Sequence, residues 1–100
     1  MLTVNDYIKL ILKKKKWTNA YFCKQINELE MKLGDSRTTP QNITNYLNGY
    51  WDFRPKILVK YEVVLGLPLG TLVNMVEPPK SKEGQKELKE TIKKIREVTE

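Results

Sequence analysis

Helix start and stop signals divide most of this chain into short segments, and these signals limit the folds that the chain can adopt. Thr18 precedes an apolar stripe at helical spacing that ends at Gly34, and Pro55 opens another that ends at Gly66. Thr and Pro are favoured where helices begin, and Gly ends helices because it adopts the left-handed conformation at little cost. The sequence therefore predicts an all-α fold.

We expect five helices between residues 4 and 77, each with apolar residues recurring every three or four positions. The first helix is capped by Asn5 or Asp6 and closed by Trp17, and the second runs from about Asn19 to Leu33. The third follows the cap Thr39 and runs from Pro40 to Leu47. The fourth runs from Pro55 to Leu65, and a short fifth begins at Pro68 and runs through Val76.

Residues 80–100 differ from the rest in being highly charged and rich in helix-forming residues. Their apolar side chains form a narrow seam of Leu88, Ile92 and Ile95, which is too short for an independent coiled coil. The seam could dock on a partner subunit or on the chain's own core, or the segment could be a loose tail. We therefore divide the chain into residues 1–79 and a charged C-terminal helix, 80–100, which is a candidate dimerisation element.

Composition excludes several classes of function. The chain has 100 residues, one Cys and no His, so disulfide frameworks, zinc sites and most His-based catalysis are excluded. Acidic residues are scattered and no Gly-rich phosphate loop occurs, so we expect neither an enzyme nor a cofactor. Apolar runs are too short to cross a membrane and no signal peptide is visible, which favours the cytoplasm. A net charge of +6 favours polyanionic partners.

The segment TTPQNITNYLNG, residues 38–49, is unusually polar for a regular helix. Ile43, Tyr46 and Leu47 form its apolar side, whereas uncharged polar residues occupy the other face. Asn and Thr are weak helix formers, and solvated faces usually carry Lys, Glu and Arg. Amides, by contrast, can pair with the N6 and N7 edge of adenine in the DNA major groove. This pattern therefore favours DNA recognition.

The order of these segments resembles the helix-turn-helix family of lambdoid phage repressors and Cro proteins, the XRE-type regulators. The resemblance covers about residues 5–76 and rests on TTPQNITNYLNG, on LGLPLGTLV and on WTNAYFCKQI. It implies a compact five-helix lambda-repressor-like domain in residues 1–79. It also implies a phage or mobile-element repressor that binds a pseudopalindromic operator in double-stranded DNA as a homodimer, with dimer contacts from the fifth helix and the tail.

Three features depart from the family pattern. About ten extra residues, 28–37, lengthen the second helix and its connection to the third. Leu12 and Leu47 occupy positions where many members have Arg and Glu, and such an apolar pair can replace a buried ion pair. Tyr50 and Trp51 follow the third helix, where they would pack in the core or a subunit interface, or stack against a DNA backbone.

The resemblance, with the chemistry of the side chains, gives the candidate DNA contacts. Gln41 and Asn45 share a helical face and can enter one groove, while a threonine methyl group can contact thymine. The lysine run 13–16 is either a solvated helix end or a phosphate contact, and Arg37 could read guanine or hold phosphate. The candidates are Thr39, Pro40, Gln41, Thr44 and Asn45 for bases, and Asn19, Arg37, Asn48 and Lys56 for phosphates.

A different class of function uses the same fold for protein interaction. In that interpretation the chain is an antitoxin-like or antirepressor partner, and Tyr50, Trp51 and the tail form its working surface.

A repressor of this length has no room for a self-cleaving domain, so we expect release by an antirepressor protein or control through concentration.

Overall fold

A computed structural model describes residues 2–99, and within this range it contains helices and turns but no strand. The all-α prediction is confirmed. The helices are α1 (Val4–Lys15), α2 (Asn19–Leu33), α3 (Pro40–Leu47), α4 (Pro55–Leu65), a 3₁₀ helix (Val73–Met75) and α5 (Lys82–Thr99). The chain divides into two units, Met1–Phe53 and Arg54–Glu100. None of the helices between residues 2 and 99 has the length and apolarity needed to cross a membrane.

The predicted starts of α2 and α3 are confirmed by their caps. The Thr18 hydroxyl accepts a hydrogen bond from the Tyr21 N–H at 3.1 Å, and the Thr39 hydroxyl accepts one from the Asn42 N–H at 3.2 Å. Each bond satisfies an N–H group that has no partner within its helix. Gly34 ends α2 in the left-handed conformation, with a φ of 74°.

The cap predicted for α1 was wrong. Thr3 is the N-cap, and its hydroxyl accepts from the Asp6 N–H at 3.2 Å. Asn5 lies within the helix, where its side chain is available for a contact elsewhere in the unit. At the other end, Lys16 adopts the left-handed conformation with a φ of 59°, a position that Gly fills at the ends of α2 and α4.

The first unit holds α3 against both α1 and α2. Ile43 and Leu47, on the predicted apolar side of α3, are buried, and Tyr46 is half-buried between the rings of Trp51 and Phe53. Because α3 has only eight residues, it depends on this packing for its stability. The buried apolar residues of the unit are Val4, Ile8, Leu12, Phe22, Cys23, Ile26, Leu29, Ile43 and Leu47.

In the second unit, the predicted fifth helix was wrong. Residues 68–76 form turns and one 3₁₀ helix, because a buried carboxylate takes up their N–H groups. Glu62, fully buried on α4, accepts from Gly70 at 3.0 Å, Leu72 at 2.5 Å and Val73 at 3.0 Å. Gly70 has a φ of 100°, which no α-helix contains.

The tail forms α5, which packs on α4 within the second unit. Ile95 is 1% exposed, whereas Leu88 and Ile92 are half-buried. Docking on the chain's own core is therefore the correct alternative, and the loose tail was wrong. Ile95 is a core residue in this conformation, and its assignment to dimerisation stays a prediction. The roles of Leu88 and Ile92 in dimerisation stay predictions, as does a domain boundary at residue 79.

Candidate nucleic-acid interface

The exposed face of α3 carries two coupled amides. Gln41 Nε2 donates a hydrogen bond to Asn45 Oδ1 at 3.0 Å, one helical turn away. Gln41 is exposed and Asn45 half-buried. Their bond leaves Oε1 of Gln41 as an acceptor and Nδ2 of Asn45 as a donor. One acceptor and one donor are what the N6 and N7 edge of adenine requires, so the pair is suited to act as one unit.

Thr39 and Thr44 have their hydroxyl groups occupied by the backbone of α3. Thr39 caps the helix, and the Thr44 hydroxyl donates to the Pro40 carbonyl at 3.1 Å. The Thr39 hydroxyl oxygen and the Thr44 hydroxyl hydrogen are therefore occupied and are not available to contact a base. The methyl groups remain as the part of each side chain suited to the C5 methyl of thymine.

The carboxyl end of α3 is held by Asn5 of α1. Asn5 Nδ2 donates to the Tyr46 carbonyl at 2.6 Å and approaches the Leu47 carbonyl at 3.5 Å. The last carbonyls of a helix have no partner within it, so this side chain satisfies a group that would otherwise need water. Sequence reasoning missed this role of Asn5, because the two residues are 41 positions apart and no local pattern connects them.

The amino end of α3 is attached to α2 through Thr38, the residue before the cap. The Thr38 N–H donates to Asn27 Oδ1 and to Glu30 Oε1, both at 2.9 Å, and its hydroxyl donates to Glu30 Oε2 at 2.9 Å. Glu30 is 3% exposed, so these bonds lie in a region of low dielectric, where hydrogen bonds are strong. The lengthened connection therefore ends in a fixed attachment.

Cys23 adds a contact to the same attachment. Its thiol donates to the Thr38 carbonyl at 3.2 Å and lies 3.6 Å from Asn27 Nδ2, which donates to the sulfur. Burial raises the pKa of the Cys23 thiol, the Glu30 carboxylate raises it further, and the Asn27 hydrogen bond opposes the shift. Cys23 is thus a buried, protonated thiol.

A shallow depression of about 290 Å³ lies beside α3. It brings together Asn19, the first residue of α2, with Asn48, the residue that ends α3, and both are predicted phosphate contacts. Thr44, a predicted base contact, lines the same depression. The full lining is Lys9, Leu12, Lys13, Trp17, Asn19, Thr44, Leu47 and Asn48.

Two lysines of α1 make this depression cationic. Lys13 belongs to the run 13–16 that the sequence offered as a phosphate contact, whereas Lys9 had not been singled out. Lys9 and Lys13 are four residues apart, and both are exposed. The helical spacing of the two lysines was the available signal, because it places them on one face of α1. The N-terminus of α2 adds a partial positive charge at Asn19. The depression therefore combines amide donors with positive charge, which suits a phosphate group.

The other two predicted phosphate contacts lie elsewhere. Arg37 is exposed in the connection before α3 and does not line the depression. Lys56 belongs to the second unit, where its ammonium group is 2.7 Å from a Glu87 carboxylate oxygen on α5. Phosphate contact by Lys56 would have to compete with this ion pair.

Tyr50 and Trp51 do not pack in the core. Tyr50 is 75% exposed and Trp51 is 43% exposed, although the Trp51 ring contacts Tyr46 edge-on at 5.2 Å. Core packing of these two side chains was therefore wrong. A subunit interface and stacking against a DNA backbone remain as predictions.

No family model, curated protein or solved structure matches this chain. The resemblance to XRE-type regulators accordingly stays a prediction from the quoted residues. Within residues 2–99, His, Cys, Asp and Glu side chains form no group of three or more that could hold a metal ion.

Proposed function

We propose that this chain is a sequence-specific DNA-binding transcriptional regulator that acts as a homodimer on a pseudopalindromic operator. The observation that carries the proposal is the junction of the amide face of α3 with the cationic depression, because Thr44 belongs to both. Base recognition and phosphate contact then occur side by side. As a phage or mobile-element repressor, the chain would act in the cytoplasm by occupying promoter DNA.

Base recognition rests on the coupled amides. Gln41 and Asn45 would meet adenine through the free acceptor of one and the free donor of the other. A good bidentate contact contributes about 1–3 kcal/mol of discrimination against a wrong base. Attachment of α3 at both ends, through Asn5 and Thr38, supports this role, because contacts that specify bases need a fixed helix.

Phosphate contacts would come from the depression. Lys9 and Lys13 supply charge, and the side chains of Asn19 and Asn48 supply donors. Such contacts give affinity and position the helix, and they make binding weaker as the salt concentration rises. They carry no sequence information themselves.

Dimerisation would place two copies of α3 in major grooves about 34 Å apart, one turn of DNA. Leu69 and Met75 are 42% and 40% exposed in the segment where the resemblance implies dimer contacts. Leu88 and Ile92, half-buried on α5, are the tail residues still available for such contacts. Exposed apolar side chains of this kind suit an interface between subunits.

The test is a double substitution of the coupled amides, Gln41→Ala with Asn45→Ala. We expect it to abolish the preference for a selected operator over random DNA while weak, salt-sensitive binding remains. The matched control, Asn74→Ala with Gln85→Ala, removes two exposed amides of the second unit and should leave the preference unchanged. If the α3 variant keeps its full preference for the operator, the assignment of base recognition to Gln41 and Asn45 is overturned.

A protein-interaction module is the second candidate, because Tyr50 and Trp51 are large aromatic side chains exposed at the end of α3. Aromatic side chains of this kind are enriched in protein interfaces. In this alternative the chain is an antitoxin-like or antirepressor partner of another protein. Replacing Tyr50 and Trp51 with Ser should then abolish capture of the partner while operator preference is unaffected.

A further inference from the structure

Most basic residues of α5 are concentrated on one side of the helix. Five of its basic residues recur at spacings of four and three and so occupy one face, which we term the basic stripe: Lys82, Lys86, Lys89, Lys93 and Arg96. At 100° per residue these positions fall within an arc of about 80°. The stripe runs for about 21 Å, given a rise of 1.5 Å per residue.

The acidic residues of α5 lie beside the stripe and not within it. Glu87 is held by Lys56 of α4 at 2.7 Å, and the other acidic residues of α5 are exposed. All five cations of the stripe are exposed, and among residues 2–99 none of them has an ion pair.

The apolar side of α5 is already occupied. Ile95 is buried against the second unit, and α5 packs on α4. An amphipathic helix that binds a lipid surface needs its apolar side free to enter the membrane. The stripe is therefore a rigid row of cations on a docked helix, which matches a regularly charged polyanion better than a bilayer.

We propose that the basic stripe binds the phosphate backbone of double-stranded DNA, as a contact surface separate from α3. The inference deepens the proposed function, on which the choice of DNA among polyanions rests. Lys89, Lys93 and Arg96 form its centre, since they line a depression of about 370 Å³ together with Ile92 and Glu97. Three positive charges against one negative charge leave that depression cationic.

Salt dependence measures this surface directly. Each neutralised phosphate contributes about 0.9 to the slope of log affinity against log salt concentration. The variant K89Q/K93Q/R96Q should therefore lower the slope by about 2.7, so that its loss of affinity between 50 and 200 mM salt is about 40-fold smaller than that of the wild type. The single variants K89Q and K93Q should each lower the slope by about 0.9.

Matched variants separate the stripe from net charge. K24Q/K32Q/K94Q removes three exposed lysines outside the stripe and changes the net charge equally, so its slope should fall by less than about 1. K89R/K93R/R96K retains the stripe charge and should keep the wild-type slope. Far-UV circular dichroism checks that each variant keeps its helices. Equal slopes for the two neutralised triples would overturn the proposal.

The outcomes distinguish this inference from the proposed function. If the stripe substitutions lower the salt slope but the wild-type protein shows no operator preference, the stripe is supported and sequence-specific regulation is overturned. Operator preference with an unchanged slope would overturn the stripe alone. Vesicles of phosphatidylserine and phosphatidylcholine serve as the competing probe. If the stripe substitutions abolish vesicle binding but leave the DNA slope unchanged, the partner is a membrane and the proposal is overturned.

Discussion

Removing one hydroxyl group at Thr38 tests whether the connection between α2 and α3 is held as described. Thr38→Val keeps the shape of the side chain but deletes the 2.9 Å hydrogen bond to Glu30 Oε2. The two bonds of the Thr38 N–H stay in place. The deletion therefore isolates one contact to a buried carboxylate.

The expected cost follows from the charge and burial of the acceptor. A hydrogen bond to a charged group contributes about 1.5–3 kcal/mol. Glu30 is 3% exposed, but Thr38 is only half-buried, so we expect about 2 kcal/mol. With a urea m-value of about 1–1.5 kcal/mol per molar for a chain of this size, the midpoint falls by about 1.3–2 M.

Thr91→Val is the control. Its hydroxyl donates at 2.8 Å to the Glu87 carbonyl within α5, in an exposed position where water can replace it. We expect this variant to cost less than about 0.5 kcal/mol, as is usual for surface substitutions. If Thr38→Val lowers the urea midpoint no more than Thr91→Val does, the attachment at Thr38 does not stabilise the fold.

Three further predictions concern single side chains. Because burial raises the pKa of Cys23, alkylation of the native protein by iodoacetamide should be slower than in urea by about tenfold or more, and its rate should reach half of its maximum only above the ordinary thiol pKa. Equal rates in the native protein and in urea would contradict the burial. The pKa of the Glu87 carboxyl is lowered by its hydrogen bond and charge interaction with Lys56. The stabilisation from this ion pair is therefore fully present above pH 4.5, the ordinary pKa of the carboxyl group, and is lost as the pH falls through the lowered pKa. An NMR titration of Glu87 that is unchanged by Lys56→Met would refute this. Lys16→Gly should stabilise the protein by about 0.5–1 kcal/mol, because it relieves the left-handed conformation at a φ of 59°. Lys14→Gly removes the same charge inside α1 and should destabilise by about 1 kcal/mol, so thermal shifts of the same sign would contradict the reasoning.

The helices that could be predicted are those whose ends are determined locally. Thr18, Thr39 and Pro55 begin helices through their own side chains, and Gly34 and Gly66 end them through their own backbone. Each signal acts within a few residues, so it can be read from the sequence. The sides of α3 were predictable for the same reason, since helical spacing alone separates Ile43 from Gln41.

The features that could not be predicted depend on residues distant in sequence. Asn5 has the chemistry of a cap, but its amide is used 41 positions away. Glu62 reorganises the segment after Pro68 because its carboxylate is buried beside it, and no local pattern signals a buried glutamate. Gly70, which lies in the middle of the supposed helix, was the one local warning.

The candidate interface divides in the same way. The amide face of α3 follows from its composition, and its helical spacing brings Gln41 and Asn45 together. The depression needs α1, α2 and α3 in their packed positions, so the contribution of Lys9 emerges only from the fold, whereas Lys13 lies in the lysine run that the sequence had already offered as a phosphate contact. Lys56 was chosen because the family resemblance implies a phosphate contact there, and the fold pairs it with Glu87.

Selection of bound sequences from a pool of random duplex DNA tests the central claim most directly. If α3 recognises bases through Gln41 and Asn45 in a homodimer, the selected sequences should contain an A/T-rich inverted repeat whose half-site centres are about 10 base pairs apart. The Gln41→Ala, Asn45→Ala variant should lose enrichment at the adenine positions. A pool that shows no enriched sequence after repeated selection would contradict recognition of DNA by α3.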